Sequence, residues 1–222
     1  MTAAPDVRDP ETAYSRTHPS PRYYELLQQY QALHTHGAPE QGVAAHQMFP
    51  GQSLLQHVST LIQLTQRFGF HSMLDFGCGK GMLYRPVNDI RLSDGRSYSC
   101  LQELLGLPAA LYDPGYLPYA SRPEEPADLV VCTDVLEHCP AEDIPWILDE
   151  LFSLSRVFVF ANIACYPAKK VLPNGENAHC TVEPVEWWQD RISEVAAAYP
   201  ERYYRFDCTL PDASLATITN AS

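Results

Sequence analysis

The sequence predicts an α/β fold: a mostly parallel sheet with helices on both faces, a C-terminal antiparallel hairpin and a helical N-terminal extension. Three observations predict it. Short apolar runs at 72–76, 109–112, 129–133 and 157–161 are interleaved with stretches of helical period, the pattern of crossover units in a parallel sheet. The first run stops at a glycine cluster, Gly77-Cys78-Gly79-Lys80-Gly81, placed where such sheets turn from strand into helix and hold their ligands. The last two runs, 203–208 and 215–219, are joined through Pro211-Asp212, a turn that suits antiparallel neighbours.

In chain order, residues 1–20 contain Pro5, Pro10 and Pro19 with little periodicity and read as a flexible arm. A helix is expected over about 21–34, with Tyr24, Leu27 and Tyr30 near one face. A second spans about 53–68, where Leu54, Leu55, Val58, Leu61, Ile62 and Leu64 form a stripe of helical spacing closed by Gly69. The glycine cluster is expected to open a further helix. Ile144, Ile147, Leu148 and Leu151 mark a helix over about 141–154. Another, over about 185–199, begins with Trp187 and Trp188, which read as core-packing residues. Only 14 residues separate Asp113 from Asp128, so a strand there is vestigial or absent. The 31 residues between Gly81 and Asp113 leave room for an insertion near 88–98. After the arm, the chain reads as one domain: N-terminal helices (21–70), a ligand-binding core (71–162), a substrate loop (163–183), and a helix with an edge hairpin (184–222).

Composition narrows the function classes. The 222 residues carry 15 Lys+Arg against 27 Asp+Glu, a net charge of −12, which disfavours a broad phosphate-binding face for nucleic acid. Seven cysteines without a Cys-x-x-Cys pair fit neither a disulfide framework nor a zinc knuckle. No secretory h-region opens the chain, and no stretch reaches the roughly 18 apolar residues of a membrane span. The expectation is a reduced, soluble, cytoplasmic protein with a small-molecule partner and no membrane contact.

The glycine cluster narrows the ligand. A dinucleotide fingerprint wants glycine three residues after Gly79, where Met82 stands, and a P-loop wants Ser or Thr where Gly81 stands. Asp75 would repel a pyrophosphate but suits a ligand carrying a cationic centre. The arrangement Leu74-Asp75-Phe76-Gly77-Cys78-Gly79-Lys80-Gly81 resembles the first motif of class I S-adenosylmethionine-dependent methyltransferases. Tyr112-Asp113-Pro114 stands where that family places an acid on the ribose hydroxyls. The run from Asp128 through Thr133-Asp134-Val135-Leu136-Glu137-His138 is similar to its fourth-strand motif. The resemblance implies a Rossmann-like core and S-adenosyl-L-methionine as cofactor, bound by Asp75, Phe76, Gly77, Cys78, Gly79, Gly81, Asp113, Thr133, Asp134 and Val135.

Candidate chemistry follows the fourth-strand motif. Asp134, Glu137 and His138 stand at i, i+3 and i+4, so a helical turn would bring them to one side. His138 titrates near neutral pH and could serve as general base, with Glu137 beside it. His179 sits among polar loop residues on the same rim. The set Asp134, Glu137, His138 and His179 resembles the metal-binding pattern of small-RNA 2′-O-methyltransferases, and acid-x-x-Glu-His that of ubiquinone-pathway O-methyltransferases. The resemblance implies a divalent ion such as Zn²⁺, Mn²⁺, Fe²⁺ or Mg²⁺ that binds substrate hydroxyls. The short reach of Asp134 counts against that ion, and without it His138 or His179 serves as base. The expected activity is methyl transfer to a hydroxyl or other heteroatom of a small metabolite, a sugar or phenolic. Two alternatives stay open: a catalytically inactive methyltransferase-like subunit of a partner enzyme, and a metal-dependent 2′-O-methyltransferase of an RNA end.

Overall fold

The computed structural model describes residues 13–221. The apolar runs form β1 (Met73–Phe76), β4 (Ala109–Tyr112), β5 (Ala127–Thr133) and β6 (Ser155–Ala164), and the terminal pair forms β7 (Tyr203–Thr209) and β8 (Leu215–Thr219). They make one six-stranded sheet in the order β4-β1-β5-β6-β7-β8. Every neighbouring pair from β4 to β7 is parallel, and β8 closes the edge antiparallel to β7. Met73 lies level with Ala109 on one side and Leu129 on the other, so β1, β4 and β5 end near one another. β5 is apolar on both faces because both are covered. Its Val130 and Cys132 pack on the side of α4 (Ile144–Ser153) and α5 (Val185–Ala196). Leu129 and Val131 pack oppositely, against α2 (Val58–Phe68) and α3 (Leu101–Leu105). Trp188 is wholly buried on the first of these faces, as its place in the helix suggests.

Helix α1 (Pro21–His36) lies over the carboxyl ends of the strands, where its Tyr23 packs edge-on against Trp146 of α4. Ser20 caps it through its side chain, with Pro21 at the first helical position, where the missing N–H costs nothing. The cap is itself anchored: the Ser20 amide and hydroxyl both donate to Asp143, which also accepts from the Trp146 indole. Asp143 and Ser20 are buried, so breaking this cluster would strand a charge without water. Residues 13–20 are therefore not the free arm expected. Ser15 and His18 form a bridge, and Arg16 pairs with the buried Glu150. The remaining part of that expected arm, residues 1–12, lies outside the described residues.

The glycine cluster departs from expectation too. It leads into a single 3₁₀ turn, Met82–Tyr84, and no α-helix follows directly, because Pro86 stops the turn. The expected insertion is a small hairpin, β2 (Ile90–Arg91) with β3 (Ser97–Tyr98). Between β4 and β5 the chain holds one 3₁₀ turn and no further strand, which leaves β4 as the sheet edge. Among the described residues, no helix is long and apolar enough to cross a membrane.

Candidate functional site

At the carboxyl ends of β1, β4 and β5 lies a cavity of about 570 Å³, within the size range of small-molecule sites. Its floor is Phe76, Gly77 and Gly79 at and beyond the end of β1, Asp113 after β4, and Thr133, Asp134 and Val135 at and beyond the end of β5. Its walls come from α1, from residues 48–53 and from the loop 166–179.

Gly77 and Gly79 both have positive φ, and each meets protein closely. A methyl group on Gly77 would collide with Val135, and one on Gly79 with the carbonyl of Phe49. The loop amides are all engaged. Gly77 and Cys78 donate to the Tyr112 carbonyl, Lys80 to Phe49, Gly81 to Cys78, and Gly79 to the Asp113 carboxylate at 2.7 Å. A phosphate would find no free amide here, whereas a nucleoside asks for none. The other Asp113 oxygen accepts from Gly115 at 2.8 Å. Each carboxylate oxygen has a second lone-pair site, so Asp113 can still accept hydroxyls.

Asp134 follows β5 with φ +62°, a left-handed conformation rare outside glycine and tolerated best by Asn and Asp. The chain then tightens into a 3₁₀ turn, Leu136–His138. Three residues per turn and the kink at Asp134 carry Glu137 inward. It is wholly buried, its Oε1 accepts the Ala164 amide, and it does not line the cavity. The expected group therefore closes without Glu137: among the described residues, ligand atoms of Asp134, His138 and His179 lie within 4.8 Å of one another.

Both imidazoles are held in one tautomer. His138 Nδ1 lies 2.8 Å from the Ala178 carbonyl and 2.8 Å from the Tyr30 hydroxyl. His179 Nδ1 lies 2.6 Å from the Tyr166 carbonyl. Carbonyls only accept, so each Nδ1 carries a hydrogen and each Nε2 points away from the carbonyls. His138 Nε2 faces Asp134 at 3.9 Å. Two ring nitrogens and a carboxylate thus converge, an arrangement that is satisfied by a proton on His138 Nε2 or by a cation. Burial pulls His138 down, but the Asp134 carboxylate and the nearby Glu137 outweigh it and raise its pKa. At His179 burial outweighs the Tyr166 carbonyl and the Asp134 carboxylate and lowers the pKa. Hydrogen bonding to His138 holds Asp134 below the usual carboxylate range.

Three expected cofactor contacts lie elsewhere. Asp75 is buried behind the floor, accepts the Tyr84 hydroxyl at 2.8 Å and does not line the cavity. Burial pushes its pKa up to about 7, so it is not a fixed negative charge at neutral pH. Cys78 and Gly81 also lie off the wall, Gly81 against Leu111 and Tyr119. The carboxylates that reach the cavity are Asp113 and Asp134.

The structure adds residues that the motifs did not single out. Tyr30 from α1 braces His138, and its ring packs edge-on against both Phe49 and His138. His34, also on α1, stacks on Tyr116, while Lys80 donates to the His34 carbonyl at 3.1 Å. The helical stripe in 21–34 was a visible signal, but it names a face and not a partner. Compared with known proteins, the chain matches no family model, no curated protein and no solved structure.

Proposed function

We propose that the chain is an S-adenosylmethionine-dependent methyltransferase acting on a hydroxyl of a small-molecule acceptor. One observation carries this reading. A single cavity joins a glycine-lined strand end and the Asp113 carboxylate on its floor to two single-tautomer imidazoles and Asp134 at its side. The first half suits a nucleoside, and the second suits a hydroxyl that must lose a proton.

Bound on this floor, S-adenosylmethionine would supply a methyl group on a cationic sulfur. Asp113 accepts the ribose hydroxyls, the bare backbone of Gly77 and Gly79 lets the nucleoside approach, and Phe76 and Val135 give apolar contact. Asp134, His138 Nε2 and His179 Nε2 have the donor set for a divalent ion, which would supply Lewis acidity toward the acceptor hydroxyl. In an ion-free site the His179 Nε2, kept neutral by burial, accepts the hydroxyl proton. Helix α1 and the 166–179 loop wall the cavity and limit water around the reacting atoms.

Isothermal titration with S-adenosylhomocysteine tests the proposal. The expected result is micromolar binding that Asp113→Ala abolishes and His138→Ala leaves near the wild-type value. Absence of binding by the wild-type protein would overturn it.

A further inference from the structure

The chain contains only three lysines, Lys80, Lys169 and Lys170, and all three are at or beside the cavity. Among the described residues the ion pairs are made by arginines and by His138, and no lysine pairs with a carboxylate. Lys80 is buried, with its ammonium on the His34 carbonyl and the Tyr116 ring. It is already satisfied and fastens α1 to the glycine loop.

Lys169 and Lys170 differ. Both are exposed at the rim, both line the cavity, and they are adjacent in sequence. The Lys170 ammonium lies 5.5 Å from the centre of the Phe49 ring, and both residues line the cavity. Their loop is fixed rather than loose. Asn177 takes the amide and the carbonyl of Ala168 at 2.9 Å each, Ala178 donates to the Lys170 carbonyl at 3.1 Å, and Val171 bridges Asn177. The same loop carries His179, so the two ammonium groups and the reactive cluster belong to one pinned unit. In a chain of net charge −12, a doubly positive rim that makes no direct ion pair, with Asp134 the acid that feels Lys170 at longer range, stands against the overall field.

We propose that Lys169 and Lys170 receive a phosphate monoester on the acceptor, which makes the substrate a phosphorylated hydroxyl compound. This rests on the methyl-transfer reading of the site. Two lysines offer two point charges, which match the −1.5 to −2 or so of a phosphate monoester near neutral pH. Ammonium groups bind phosphate as point charges without the planar fork that a carboxylate favours. The phosphate sits at the rim in partial contact with water, while the hydroxyl reaches Asp134, His138 and His179.

Phosphorus-31 line broadening and calorimetry with phenyl phosphate and ribose 5-phosphate, each against phenol and ribose, test this. At least one phosphorylated probe is expected to bind about tenfold or more tighter than its parent. The Lys169→Gln/Lys170→Gln variant is expected to erase that preference and keep wild-type S-adenosylhomocysteine affinity. If neither phosphorylated probe is preferred, or the variant keeps the preference, the proposal is wrong while cofactor binding still stands. A fall in S-adenosylhomocysteine affinity in the variant would reassign the lysines to the cofactor's carboxylate and overturn it. Tighter, lysine-dependent binding of a short RNA than of either probe would also overturn it. Should the wild-type protein bind no S-adenosylhomocysteine, the methyl-transfer reading fails, and lysine-dependent phosphate binding is still read directly.

Discussion

Alanine substitution at three glycines should separate backbone strain from crowding. Gly175, Gly77 and Gly79 all have positive φ, so each alanine carries a strain of about 1–2 kcal/mol. Gly175 faces open space, and strain should be its whole effect. At Gly77 the new methyl also meets the Val135 side chain, and overpacking adds about 1–3 kcal/mol, so the sum is roughly 2–5 kcal/mol. At Gly79 the obstacle is the Phe49 carbonyl, main chain that cannot rotate away, so the loss should be the largest of the three. Urea denaturation reads the series. With a slope of about 1–3 kcal/mol per molar, Gly77→Ala should lower the midpoint by about 0.7 M or more. Val135→Ala should recover part of that loss in the Gly77→Ala background, and Phe49→Ala should recover none of it in Gly79→Ala. Equal losses at all three glycines, or no coupling between 77 and 135, would refute the close-approach account of the loop.

Asp75 sets a pH dependence of stability. Its folded pKa of about 7 stands above the unfolded 3.8, so the folded state binds more protons between those values. Stability should therefore fall as pH rises from about 4 to about 7, by an amount on the order of 4 kcal/mol from this group, and Asp75→Asn should flatten that slope in thermal melts across the range. For the metal set, elemental analysis after loading with Zn²⁺ or Mn²⁺ should find one ion per chain. His138→Ala or His179→Ala should lower ion affinity by more than the about 10–100-fold caused by losing a supporting partner, while Glu137→Gln retains the ion. Ion binding that depends on Glu137 would contradict the inward turn of that residue.

Strand and helix positions were legible because continuous apolar runs mark strands covered on both faces and the stripes keep a period of 3.6, and both signals depend on near neighbours alone. The floor of the cavity was legible for the same reason, since Gly77, Asp113 and Asp134 each follow directly on a strand and Gly79 comes two residues later in the same glycine loop. The Glu137 side chain was misplaced by assuming α-helical spacing where a 3₁₀ turn begins from a left-handed aspartate. The expected helix after Gly81 failed although Pro86 was in plain view. Tyr30 and His34 were unreadable as site residues because their partners, His138, Phe49 and Tyr116, lie far along the chain. The fixed start of α1 depends on Asp143, 123 positions away from Ser20, which no local pattern around residue 20 announces.

The glycine loop holds residues 49–50 by main chain alone: Lys80 donates to the Phe49 carbonyl and Met82 to the Pro50 carbonyl. Those two links are indifferent to which side chains stand at 49 and 50. A side-chain change at Phe49 would therefore spare this seam and fall instead on the ring contacts with Tyr30 and His34, so the wall of the cavity and the loop beneath it are separable.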